Sequence, residues 1–252
     1  MVTLSERYGV ATENSASRLM AVLEQVRAMR PSRQGIDGWM EIFGASDRID
    51  VLRGAAELAD LVDQFEADVR ALPEDEDPEH LLAFLPKIRN MIGPLFHVSN
   101  TNMQHFSQHL TEEVMYSVAG CSRALRRNGR VELSISPGSA KQLVDEVRAV
   151  IEGVIESDLP DALKDLMVDR LRDVERALLT VRIGGYASVE KAMDALTFGA
   201  VRATKAGTEE REKVGGWLSR LWGKLSEHAQ GAEAIAATAA STAEVVKAIS
   251  GG

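Results

Sequence analysis

Hydrophobic residues recur every three or four positions along most of the chain, which is the spacing of one face of an α-helix. In the N-terminal half these stripes are separated by breaks at Pro31, Pro73 and Gly93-Pro94. Three more stripes follow within 139–203, and a last one runs from 208 to 252. The pattern predicts an all-α protein, a bundle of about seven helices with a long C-terminal amphipathic helix.

One segment has a different period. Val131, Leu133 and Ile135 alternate with polar residues, as in a strand, but no second segment of this kind is present to pair with them. We therefore expect at most one short strand or extended segment near 130–136. The predicted parts are an N-terminal helical part (1–129), an extended connector (130–138), a helical bundle packing on or beside the first part (137–203) and the C-terminal helix (208–252).

Glycines and capping residues predict several boundaries. Asn14 or Ser15 is expected to cap the first helix, and Gly35 with Gly38 indicates a short loop. A single helix is expected from about 100 to 127. Gly184-Gly185 is expected to stop the helix before it.

The C-terminal stripe suggests the function. From Val214 to Ile249 its members are separated by alternating gaps of four and three residues, a heptad register, and an apolar seam of this length must be covered. The leading hypothesis is a non-enzymatic helical interaction or regulatory protein that binds itself or a protein partner through this helix. The expected partner-binding residues are Trp217, Leu218, Leu221, Trp222, Leu225, Ile235, Val246 and Ile249.

Two other coverings of the seam remain open. The helix could fold back on its own bundle. Alternatively, the Trp217–Leu225 segment could insert into a membrane, which would make the chain a pore-forming or membrane-perturbing effector. Charge disfavours this alternative, because acidic and basic residues balance between 208 and 228, whereas helices drawn to anionic lipid have a basic polar face.

Composition narrows the classes of partner and compartment. The chain has 29 basic and 38 acidic residues, a net charge of −9, so nucleic acid is not an expected partner. Its one cysteine, Cys121, cannot form an intrachain disulfide, which suits a reducing compartment. Glu6 and Arg7 interrupt any secretory signal, so a soluble, cytoplasmic protein is expected.

The cluster His105, His109 and Glu113 has the spacing of metal ligands. Residues four apart share one face of a continuous helix, and two imidazoles placed in this way can bind one metal ion. The segment lacks the glutamate of the metalloprotease motif and lies off the apolar stripe. We therefore predict no metal site and no cofactor, and expect Cys121 to be a small buried apolar residue.

A second alternative function is catalytic. Arg89-Asn90 followed by His97 is similar to the motif of HEPN-type ribonucleases, an all-helical family in which an arginine precedes a histidine by four to six positions. Here seven residues intervene, including Gly93 and Pro94, which would break the helix that joins the two side chains. No phosphate-binding loop, nucleophile elbow or paired-cysteine motif is present, so the chain is not expected to be an enzyme.

Overall fold

The computed structural model describes residues 14–95, 101–204 and 208–230, and these form an all-α fold, as the sequence pattern predicts. The described residues contain eleven α-helices instead of about seven, because turns divide several of the expected ones. The helices are α1 (Ser15–Ala28), α2 (Gly35–Phe43), α3 (Arg48–Arg70), α4 (Pro78–Leu81), α5 (Leu85–Ile92), α6 (Met103–Ser107), α7 (Glu112–Arg127), α8 (Pro137–Glu156), α9 (Asp161–Leu179), α10 (Val181–Ala203) and α11 (Glu209–His228).

The chain forms two compact units. Unit 1 comprises Met1–Glu132 and the short segment Arg182–Gly184, and unit 2 comprises Leu133–Val181 and Gly185–Gly252. Each unit has its own core of buried apolar side chains.

Helix α1 is central to unit 1. Its side chains Leu19, Leu23 and Val26 are fully buried, and the helix packs against α3 and α7. Asn14 begins the helix with a capping box: the Ser17 N–H donates to Asn14 Oδ1 at 3.0 Å, and the Asn14 N–H donates to Ser17 Oγ at 3.1 Å. Of the two caps expected from the sequence, Asn14 is therefore the one used.

The loop predicted at Gly35 and Gly38 is wrong, because these glycines lie within helix α2. A Cβ at position 38 would be only 2.4 Å from the Sδ of Met103. The glycine is needed for close packing, not for a turn. It allows α2 to bury Trp39 against Phe106, with ring centroids 5.4 Å apart.

The single helix predicted over 100–127 is also wrong where the structure describes it. The chain forms α6, turns through Gln108–Thr111, and starts again as α7. Thr111 begins α7, since its Oγ1 accepts a hydrogen bond of 3.3 Å from the N–H of Val114. Leu110, inside the turn, is buried in the core of unit 1, so its burial and the Thr111 cap both favour the turn.

The described residues of unit 2 form four helices. Helix α8 packs along α9, where Arg148 Nε lies 2.6 Å from Glu175 Oε1, and α8 also packs against α11. Helix α10 contacts α11 through a hydrogen bond from Trp222 Nε1 to Thr197 Oγ1. All four helices contribute to one core, whose buried members include Val147, Val150, Met167, Leu171, Met193, Leu196, Leu218 and Trp222.

A short strand pair lies in unit 2. Strand β1 (Ser134–Ile135) falls within the extended segment expected near 130–136. It pairs antiparallel with β2 (Ala229–Gln230), with Ser134 opposite Gln230 and Ile135 opposite Ala229. The sequence pattern did not predict this second strand.

Helix α10 contains the expected break at Gly184-Gly185 as a kink. Gly185 has φ +72°, a left-handed conformation that favours glycine, and Ser188 Oγ donates to its carbonyl oxygen at 2.8 Å. The preceding residues, Arg182–Gly184, belong to unit 1, where Ile183 is buried in the core and its carbonyl accepts a hydrogen bond from Arg18.

Candidate functional site

Helix α11 contains most of the residues predicted to bind a partner. Thr208 begins it, accepting a 3.4 Å hydrogen bond from the N–H of Arg211 at its Oγ1, and acidic residues fill the first turn, where they complement the helix dipole. The apolar positions lie on one face. The buried residues of that face are Val214, Leu218, Leu221, Trp222 and Leu225, each no more than 2% exposed.

This face is covered by unit 2 itself. Leu218, Leu221 and Leu225 belong to the core shared with α8, α9 and α10. The indole N–H of Trp222 donates a hydrogen bond to Thr197. The ring of Trp217 is half-buried beside Gly153 on α8, and a Cβ added to that glycine would lie 3.8 Å from the ring. The bundle of unit 2 therefore removes this part of the seam from water, which is the fold-back covering that the sequence left open beside partner binding.

The predicted helix over 208–252 also ends earlier than expected. Helix α11 stops at His228, and Ala229 takes an extended conformation to pair with β1. The backbone hydrogen bonds made with β1 replace continuation of the helix at this point. The other three predicted partner-binding residues, Ile235, Val246 and Ile249, lie outside the described residues.

The polar face of α11 is paired with acidic residues. Lys213 contacts Asp158 at 2.5 Å, Arg220 contacts Glu146 at 2.6 Å, and Lys224 contacts Glu227 at 2.9 Å. Ion pairs therefore hold these three cations, and the apolar residues Trp217–Leu225 face their own core. Membrane insertion of this segment would require α11 to leave unit 2. Among the described residues, no helix is long and apolar enough to cross a bilayer.

A polar cleft of about 240 Å³ lies beside the start of α11. The hydrogen bond from Lys213 lowers the pKa of Asp158 below its usual range, so the two groups stay charged and paired. The ammonium group of Lys213 is therefore already paired with a carboxylate of the protein. The cleft is lined by Asp158, Leu159, Thr208, Glu209, Glu210 and Lys213.

The histidine cluster is not arranged on one helix. His105 lies in α6, His109 lies in the following turn, and Glu113 lies in α7, where it pairs with Lys87 at 3.3 Å. The ring centroids of His105 and His109 are 6.3 Å apart. The described residues contain no group of three or more side chains placed to hold a metal ion.

Cys121 lies inside unit 1, as expected for a small apolar residue. It is fully buried, and its Sγ–H donates to the Leu81 carbonyl at 3.5 Å. Burial raises the pKa of the thiol to about 12, so it is protonated at neutral pH. It is not a ready nucleophile or metal ligand.

Arg89, the arginine of the ribonuclease alternative, is engaged in ion pairs. Its guanidinium lies 3.0 Å from Asp63 and 2.5 Å from Glu66, both on α3. His97, the other residue of that alternative, lies outside the described residues. Two carboxylates thus neutralise the positive charge of Arg89, the arginine of this motif.

The sequence patterns did not single out the outward face of α10. Phe198 on this face is 70% exposed, more than any other large hydrophobic side chain among the described residues. Its signal was present in the sequence, because it is a large aromatic residue that lies off the stripe formed by Val189, Met193, Leu196 and Ala200.

Comparison with known proteins does not assign this arrangement to a family. No protein-family model matches the chain, and neither the curated proteins nor the solved structures include one that is significantly similar to it.

Proposed function

We propose that this chain is a non-enzymatic helical interaction protein that binds a protein partner through its C-terminal residues, 231–252. The supporting observation is the burial of α11. Its apolar face packs into the core of unit 2, so the first half of the predicted seam, from Val214 to Leu225, is already covered. The partner-binding role then falls to the second half.

The sequence of that second half suits a helical contact. Ile235, Val246 and Ile249 continue the seam register past the strand β2. Residues 231–252 are rich in alanine, which allows close helix approach, and their charged residues are Glu233, Glu244 and Lys247 alone. A nearly neutral segment with spaced apolar side chains is weakly repelled by other surfaces and gains free energy when those side chains are buried.

The structure also determines how the proposal is tested. Truncation after residue 206 would remove Leu218, Leu221 and Trp222 from the core and unfold unit 2, so lost binding would be uninformative. Truncation after Gln230 keeps α11 and both strands. We therefore compare the full chain with a chain ending at Gln230, using circular dichroism to verify that both are folded.

Affinity purification from the source cell identifies proteins captured by the full chain, and titration with each purified protein measures direct binding. We expect a partner that binds the full chain and loses at least about tenfold in affinity for the chain ending at Gln230. Equal affinity for both chains, or no direct partner of the full chain, would contradict the proposal.

A matched pair of variants tests whether the apolar seam itself is responsible. Ile235→Asp places a carboxylate on the seam, whereas Ala237→Asp adds the same charge on the opposite side of a helix in that register. Only the first substitution is expected to weaken partner binding. If both weaken it equally, charge and not the seam explains the effect.

A further inference from the structure

The outward face of α10 has an uncovered apolar side chain between two opposite charges. Phe198 is 70% exposed. Asp194 and Arg202, one helical turn before and after it, are also exposed, and neither belongs to an ion pair found among the described residues. The three side chains lie at four-residue intervals and form one straight row along the helix.

Such rows are the elements that pack when two helices cross. Rows of residues four apart on two helices lie parallel when the axes cross at about −50°, the commonest helix-packing angle. The row on α10 has small neighbours, since Ala195 is exposed beside it and Val201 is half-buried. A second helix can therefore approach closely at Phe198.

We propose that this face binds the same face of a second copy of the chain, with the two α10 helices antiparallel and crossing at Phe198. A two-fold axis through the crossing reverses the row on the second copy. Asp194 then lies beside Arg202 of the partner subunit, and Arg202 lies beside Asp194 of the partner subunit. The two phenylalanine rings meet at the centre, where water is excluded.

Charge selects this arrangement over its alternatives. A parallel pair would put Asp194 next to its own copy and Arg202 next to its own copy, which is repulsive twice. The antiparallel pair makes two attractions in place of two repulsions. Partial burial raises the pKa of Asp194, because it disfavours the charged form of the carboxyl group. A guanidinium from a second copy would stabilise that charged form.

This contact goes beyond the proposed partner binding, because it uses α10 and not residues 231–252. A single helix face buries less area than a permanent dimer interface. We therefore expect association that depends on concentration, with the average mass rising above 27.4 kDa toward twice that value as the protein is concentrated. Sedimentation velocity over a concentration series measures it.

Charge-reversal variants give the most specific test. Asp194→Arg alone and Arg202→Asp alone each replace two attractions with two repulsions, so each should weaken self-association at least about tenfold. An equimolar mixture of the two variants restores both attractions and should form a mixed dimer as strong as the wild type. Phe198→Ser should also weaken the dimer, and circular dichroism should show that these exposed positions tolerate the changes.

Two controls separate this contact from others. Arg172→Asp makes the same charge change at an exposed position on α9 and should leave the association unchanged. The chain ending at Gln230 should dimerise like the full chain, even if it has lost its protein partner. The proposal is overturned if the wild type stays monomeric at every concentration, if the mixture fails to associate, or if dimerisation requires residues 231–252.

Discussion

Trp222 and Thr197 join two helices of unit 2 by a buried hydrogen bond. The indole N–H donates to Thr197 Oγ1 at 3.1 Å, and the threonine hydroxyl donates in turn to the Met193 carbonyl at 2.8 Å. Trp222 is 1% exposed and Thr197 is 7% exposed. The indole N–H of this buried tryptophan thus has its hydrogen-bond acceptor inside the core, and the bond holds α11 against α10 in one register.

We expect Thr197→Val to destabilise unit 2 by about 1–3 kcal/mol, because it leaves the indole N–H buried without its acceptor. Thr197→Ser retains the hydroxyl and should lose less. The free energy of unfolding, measured by urea denaturation, tests the difference. Equal stability of the two variants would show that the hydrogen bond contributes nothing net.

In unit 1, Gly54 allows α3 to approach α2. A Cβ at this position would lie 2.5 Å from the Phe43 Cγ. We expect Gly54→Ala to destabilise unit 1 by about 1–3 kcal/mol through overpacking, despite the better helix propensity of alanine. Gly120→Ala on α7 is the control, since the nearest atom there is the mobile end of Arg123 at 4.0 Å. That variant should be stabilised by about 0.5–1 kcal/mol, and the two shifts should differ in sign in thermal unfolding.

The carboxylate of Glu190 on α10 should make stability depend on pH. Partial burial, with a smaller effect of the nearby Asp194 charge, raises the pKa of Glu190 above its ordinary value of 4.5. The folded state therefore binds this proton more tightly than the unfolded state. The resulting stabilisation is present below pH 4.5 and is lost as the pH rises through the folded-state pKa.

Glu190→Gln removes the ionisation, so we expect a higher melting temperature than wild type at neutral pH and no difference well below pH 4.5. Glu152→Gln on α8 is the control for removing an exposed carboxylate. A gain from Glu190→Gln that persists at low pH would exclude ionisation as its cause.

Cys121 should resist alkylation in the folded protein. Its pKa of about 12 and its full burial deny a reagent both the thiolate and access. We expect mass spectrometry to show no iodoacetamide adduct at about pH 8 without denaturant, and complete modification in denaturant. Rapid labelling of the native protein would show that α7 opens readily.

Local patterns in the sequence predicted much of the fold. The periodic stripes identified the helical class, and the alternation at 131–135 placed the short strand β1, because both periods report which side of one element is buried. Glycines were less informative. Gly185 does bend α10, but Gly38 is required by the side chain of Met103, a residue distant in the sequence.

The spacing of apolar residues is a local property of one helix, so the sequence alone shows that the face from Val214 to Leu225 must be covered. It does not show that α8, α9 and α10 cover this face or that Phe198 stays outside the core, and both follow from the tertiary structure. Which surface covers a face depends on contacts between residues far apart in the chain, and these contacts leave no period in the sequence.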